Sequence, residues 1–204
     1  MISHRFRCIF IHVPRCAGTS IEEWICGRNW WTVHPQTKHL LASQAKRIYA
    51  PWWPSYYKFA IIREPVSRFL SCLKYGTHFG LAADARGRLD LSGYRHLFGS
   101  EIVVEHDHRF FHRGDLIQDH HRPGAVYGNI LDSEIDYIGC FETLSESMAE
   151  VRRVIGHPAP FDHWTERSNR PGDASLPRIV DGVAAEISAM CADDYDRFGY
   201  ERPR

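Results

Sequence analysis

This chain of 204 residues lacks several things. No apolar run approaches the ~20 residues that a helix needs to cross a bilayer. Residues 1–13 lead straight into a strand-like apolar pattern rather than a charged and then apolar leader. A membrane anchor and a secretion signal are therefore not expected, and a cytoplasmic location is. The six cysteines, Cys8, Cys16, Cys26, Cys72, Cys140 and Cys191, contain no C-x-x-C pair and follow no regular spacing. They read as reduced thiols, not as a disulfide framework or a zinc site. An excess of charge is missing too: 25 basic residues balance 25 acidic ones, with 13 histidines outside the count. Such a chain has no global field to draw it onto nucleic acid, so an anion site must be a local patch for a small ligand.

What is present fits one globular domain. Hydrophobic residues make up 44%, and 15 Gly with 11 Pro are too few for a disordered or collagenous chain. Residues 5–13 (RFRCIFIHV) form a nearly continuous apolar run closed by Pro14, the pattern of a strand buried on both faces. A tight turn through Gly18 leads into a helix with Ile21, Trp24 and Ile25 at helical spacing, and with Glu22 and Glu23 where the helix dipole favours acids. Residues 38–49 have helical periodicity. A second strand, residues 58–62 (KFAII), is followed by Arg63-Glu64-Pro65 and a helix from Val66, with Pro65 suited to its first turn. Residues 135–141 (IDYIGCF) give a third strand, with a helix from about Leu144, and residues 176–198 a closing helix. Repeated strand-then-helix units predict an α/β fold, a parallel central sheet flanked by helices, with its ligand at the carboxyl ends of the strands. A single domain spanning residues 1–204 is expected, with a lid or acceptor-binding insertion at about 76–129.

The loop after the first strand, Pro14-Arg15-Cys16-Ala17-Gly18-Thr19-Ser20, brings small residues, hydroxyls and a cation to a helix start. Amides converging there suit phosphate or sulfate. It is not a Walker A loop: with Gly18 as the second glycine of that motif, Val13 replaces the first and Thr19 the lysine. The structural alternative makes Gly18 a helix-start glycine and Thr19 or Ser20 an N-cap. Arg63 and Ser71, after the second strand, form a second anion station of the same kind. There the alternative is that Arg63 pairs with Glu64 or Glu142 and that Ser71 is an exposed helical serine.

With these residues in view the chain resembles a known family. I-H-V-P-R-C-A-G-T-S-I is similar to the 5′-phosphosulfate loop of the sulfotransferases that use 3′-phosphoadenosine 5′-phosphosulfate (PAPS), in particular the carbohydrate type with H-x-P-K-x-A-G-T-S. F-A-I-I-R-E-P-V-S-R-F-L-S resembles their 3′-phosphate motif, F-x-x-x-R-(D/N)-P-x-x-R-x-x-S. Residues 137–144 resemble Y-x-G-x-F-E-x-L, and residues 193–200 the C-terminal D-Y-x-x-F-G-Y. The resemblance implies a P-loop-like sulfotransferase fold and PAPS as co-substrate, without a metal. It implies that Arg15, Cys16, Ala17, Gly18, Thr19 and Ser20 cradle the 5′-phosphosulfate and that Arg63 and Ser71 hold the 3′-phosphate. Arg15 stands where many members have lysine; it keeps the charge that stabilises a leaving oxygen but is a far poorer proton donor.

Sulfuryl transfer needs a base for the acceptor hydroxyl. His39 lies in T-K-H-L-L-A-S, similar to the family's G-H-L-T-A segment with its base histidine, although Lys38 replaces the glycine. His39 ranks ahead of His34, Glu22 and Glu23, with a merely structural role as the alternative. His106-Asp107-His108 and His120-His121 offer metal-ligand types but no third ligand at recognisable spacing, so they read as a solvated loop. Glu142 reads as a group that orders Arg63 or Arg15 rather than one that reacts, and residues 168–170 as a surface loop or, as the resemblance implies, a polar loop closing over the nucleotide. Trp30, Trp31, Trp52 and Trp53 suit sugar stacking, core packing or an oligomer contact. The expected function is sulfuryl transfer from PAPS to a carbohydrate-like hydroxyl, with Arg15 and His39 catalytic, no nucleic-acid partner and the oligomeric state open. The rivals are a non-catalytic binder of PAPS or its desulfated product and a P-loop-like phosphotransferase.

Overall fold

The computed structural model describes residues 1–75, 88–89, 126–162, 178–179 and 183–202. Among these residues the central sheet has four strands in the order β1 (Ile2–Ser3), β2 (Cys8–Ile11), β3 (Tyr57–Ile62) and β5 (Tyr137–Cys140). β2, β3 and β5 are parallel, with Phe10 opposite Phe59 and Ala60 opposite Ile138. β1 is an antiparallel edge strand, Ile2 opposite Ile9, which sequence patterning did not separate from the longer run. The strand expected over residues 5–13 is shorter, because the chain turns through residues 4–7 before β2. A second, two-stranded parallel sheet joins β4 (Arg88–Leu89) to β6 (Arg178–Ile179).

All four residues of β2 and five of the six in β3 are buried, which is why both strands read as unbroken apolar runs. Helices α1 (Gly18–Cys26), α2 (Ala42–Ile48), α3 (Pro65–Tyr75), α4 (Tyr127–Ile130), α5 (Leu144–Ile155), α6 (Val183–Met190) and α7 (Ala192–Phe198) accompany the sheet. The core joins Ile9, Phe10, Ile11 and Ile61 of the sheet to Ile21 and Trp24 of α1 and to Leu144, Met148 and Val151 of α5. Each such side chain, fully buried, contributes roughly 1.5–3 kcal/mol. α5 lies so close to β5 that a methyl at Gly139 would meet Ser147 Cβ at 2.7 Å. In that contact Ser147 Oγ accepts from Cys140 N at 3.0 Å and donates to its carbonyl at 3.1 Å.

The α/β fold with a mostly parallel sheet flanked by helices is thus the observed one. Two helix assignments change. The expected helix over residues 38–49 begins only at Ala42, because residues 38–41 run into the site instead. The closing segment is not one helix: it holds β6, then α6 and α7, broken at Cys191. Most of the expected insertion at 76–129, the histidines of residues 105–121 and residues 168–170 lie outside the described residues.

Candidate active site

β2 delivers the chain into the first loop at the carboxyl edge of the sheet, and α1 starts at Gly18. Arg15 and Ala17 both adopt left-handed backbone, at φ 66° and 60°. Neither is glycine or asparagine, so each position is strained by roughly 1–2 kcal/mol. Ala17 is the N-cap and supplies no side-chain bond, so Thr19 and Ser20 are first-turn residues rather than the cap. The strained turn therefore presents uncapped amides at the start of α1, the arrangement that favours an oxyanion. Gly18 is required by contact rather than by φ: a methyl there would meet His12 Nε2 at 2.0 Å.

The second station closes on the first. Arg15 Nε donates to Ser71 Oγ at 3.1 Å, so α3 touches the loop directly and Ser71 is fully buried, not an exposed serine. Arg68, one helical turn earlier and 2% exposed, donates from Nε to the Pro14 carbonyl at 3.3 Å. Arg63 is buried, its guanidinium 4.4 Å from the Phe141 ring centroid and its Nε donating to Ser67 Oγ at 2.8 Å. Its Nη1 is buried with no hydrogen-bond partner. A buried guanidinium nitrogen with nothing to bond is costly, and an incoming anion removes that cost. Glu64 does not neutralise it: that carboxylate caps α3, accepting from Val66 N at 3.0 Å and Ser67 N at 2.6 Å. Glu142 acts on the Arg63 turn through the backbone rather than on a guanidinium: it accepts from Glu64 N at 2.8 Å.

Beneath the loop lies a buried polar chain. Glu22 is wholly buried, with Oε1 accepting from His12 Nδ1 at 2.6 Å and Oε2 accepting from the Lys38 ammonium. Lys38 is 2% exposed and also donates to Asn29 Oδ1 at 2.9 Å. Burial works against the Glu22 carboxylate, but His12 and Lys38 outweigh it and bring the pKa down to about 2. Burial lowers His12 below its ordinary value, against Glu22, and keeps the ring neutral. Glu22 is thus the anchor of an internal ion pair rather than a dipole-stabilised surface acid or a base.

His39 packs its ring 4.3 Å from that of His12 and faces the His12 carbonyl with Nδ1 at 3.3 Å. A carbonyl only accepts, so Nδ1 carries a proton, and the tautomer this contact selects for the neutral imidazole has its lone pair on Nε2. The other proposed base, His34, is exposed, and Glu23 is half-buried on α1. The tryptophans separate cleanly. Trp30 and Trp53 are buried, donating to Thr37 and Glu134 at 2.8 Å and 3.3 Å. Trp52 stands edge-on to His4 beside the opening of β2, away from the loop. Trp31 is 39% exposed and lies edge-on to His39, with centroids 6.0 Å apart.

The structure thus brings Arg15, Ala17, Gly18, Thr19 and Ser20 together with Ser71, and places His39 against His12 of the same strand end. Cys16 is buried in the loop, its thiol directed at the Pro14 carbonyl at 3.6 Å. Sequence reading gave no role to Arg68, Glu22 with Lys38, or Tyr127. Arg68 had a signal, as the second arginine of R-E-P-V-S-R. Among the described residues no group of His, Cys, Asp or Glu is placed to hold a metal, and no helix is long and apolar enough to cross a membrane.

No curated protein and no solved structure matches the chain significantly. The model of the sulfotransferase family matches residues 1–201, which takes in the loop, Arg63, Ser71, His39 and the C-terminal motif alike. A match of that extent, nearly the whole chain, places it in the sulfotransferase family.

Proposed function

We propose that the chain transfers a sulfuryl group from PAPS to a hydroxyl of a carbohydrate-like acceptor. The observation that carries this reading is the buried, unpartnered Arg63 Nη1 just past the end of β3, the strand that pairs with β2: two cationic stations suit a nucleotide with separated anionic groups. The 5′-phosphosulfate falls to residues 15–20 and the 3′-phosphate to Arg63 and Ser71, whose hydroxyl is at present held by Arg15. PAPS supplies the activated sulfuryl group. His39 Nε2 takes the acceptor proton as the new S–O bond forms, and Arg15 with the α1 amides holds the charge gained by the departing bridging oxygen. Trp31 offers the apolar face of an indole beside His39, and polar Asn29 and Thr32 rim it, as suits a pyranose with C–H faces and hydroxyl edges.

Calorimetry with adenosine 3′,5′-bisphosphate, AMP and ATP, with and without magnesium, tests the donor. The bisphosphate is expected to bind about 10–100-fold more tightly than AMP, the worth of charge-assisted bonds to one more phosphate. Equal affinities would overturn the reading. Sulfate transfer to a panel of pyranosides tests the acceptor. Trp31→Ala is expected to raise the acceptor KM roughly tenfold while nucleotide affinity stays unchanged; an unchanged KM removes Trp31 from the acceptor site.

A further inference from the structure

The C-terminal motif residues Asp194, Tyr195, Phe198, Gly199 and Tyr200 lie far from Arg63 in sequence but converge on the turn that carries it. Tyr195 donates its hydroxyl to Glu64 Oε1, the same carboxylate that caps α3. Tyr200 donates to Glu142 Oε2 at 3.0 Å, while Oε1 of that residue accepts from Glu64 N at 2.8 Å. Asp194 caps α4, accepting from Tyr127 N at 2.7 Å and Gly128 N at 3.3 Å. Tyr127 in turn grips the backbone of Arg63 on both sides: its hydroxyl accepts from Arg63 N at 3.1 Å and donates to Arg63 O. The Phe198 ring meets Tyr127 edge-on at 5.8 Å, and Gly199, at φ 70°, ends α7 so that Tyr200 can reach back to Glu142. Every fixed letter of D-Y-x-x-F-G-Y therefore has a partner or a turn that leads to the Arg63-Glu64 turn.

We infer that residues 194–200 are a positioning element of the 3′-phosphate site: through Glu64, Glu142 and Tyr127 they hold the turn that aims Arg63. These bonds run to Glu64, Glu142, Tyr127 and Gly128, so the element acts on the anion through Arg63. The physical need is plain, because Arg63 is a buried guanidinium with an unpartnered nitrogen, and only an over-determined backbone keeps such a group aimed at an anion. Burial keeps the Tyr195 and Tyr200 hydroxyls protonated, so both remain donors to carboxylates. The inference rests on the reading of Arg63 as the 3′-phosphate ligand.

The test uses Tyr195→Phe and Tyr200→Phe, each of which removes one hydroxyl and keeps the ring. Calorimetric titrations with adenosine 3′,5′-bisphosphate and with AMP are compared, alongside thermal melts. The variants are expected to lose about fivefold in affinity for the bisphosphate, with AMP affinity unchanged, so that the preference for the 3′-phosphate shrinks. Tyr200→Phe serves where Tyr195→Phe folds poorly, since Tyr200 is only partly buried. A wild type with no preference for the bisphosphate overturns the Arg63 reading itself. A wild type with that preference, and variants that keep it in full whether or not they melt earlier, overturns the positioning role alone.

Discussion

Glu22→Ala is expected to destabilise the fold by about 3–5 kcal/mol, the usual cost of stranding one partner of a buried ion pair. The mechanism is specific to this chain. Lys38 stands where the resembling family has glycine, and its ammonium is 2% exposed with Glu22 and Asn29 as its partners. Without the carboxylate, Lys38 must either lose its proton or drag water inward, and His12 loses the acceptor that orients its ring under Gly18. Urea unfolding at neutral pH measures the loss. The double variant Glu22→Leu with Lys38→Met is expected to recover most of it, since replacing both charges by apolar groups of similar size is often neutral. A single variant as stable as wild type would show that the pair is not what holds this corner.

The same network sets a pH dependence with a defined sign. The Glu22 carboxyl titrates at about 2 in the fold against an ordinary 4.5, so its contribution is complete above pH 4.5 and is lost as pH falls toward 2. His12 acts at higher pH. Its buried ring resists protonation below the ordinary 6.5, whereas the unfolded chain takes up that proton, so stability begins to fall as pH drops through 6.5. Acidification is therefore expected to lower the urea midpoint in two stages. Glu22→Ala should lack the lower one, and an identical acid profile for wild type and variant would exclude Glu22 as its source.

Much of this architecture was legible because the parallel strands are buried on both faces and carry their signal in composition alone: C-I-F-I and K-F-A-I-I can hardly be anything else. The loop was legible as a strand-to-helix turn because Pro14 closes the apolar run and Gly18 opens the helix. What escaped was long-range pairing. Nothing local in Lys38 announces that it ends on Glu22, since a lysine in a helix-forming stretch ordinarily faces solvent. The same holds for Glu142, whose partners Glu64 and Tyr200 come from separate parts of the chain. The helix expected over residues 38–49 failed at its start for a related reason: residues 38–41 are spent on tertiary contacts to Glu22 and His12, and those override local propensity. Periodicity sees faces; it does not see which buried charge answers which.

His39→Ala is expected to reduce kcat by about 10²–10⁴-fold, the range for loss of a positioned general base, while leaving affinity for adenosine 3′,5′-bisphosphate within a factor of about two. The geometry gives the residue a defined tautomer, with the proton on Nδ1 toward the His12 carbonyl at 3.3 Å and the lone pair on Nε2. That same geometry raises the structural alternative, because His39 is only 5% exposed and packs against His12 and Trp31. Two comparisons separate the roles. An acceptor whose hydroxyl is already acidic needs little help from a base, so the defect of His39→Ala should shrink on such an acceptor and persist on an ordinary alcohol; a packing defect would follow neither. Arg15 gives the complementary pattern. In the proposed mechanism Arg15→Ala removes charge from the leaving-group side and should cost about 10²–10³-fold in kcat on every acceptor, whereas Arg15→Lys keeps the charge and should retain most of the rate. Full turnover by His39→Ala on an ordinary alcohol would remove His39 as the base and pass the role to another group at the same strand end, of which His12 is the one whose Nε2 already faces the loop at Gly18.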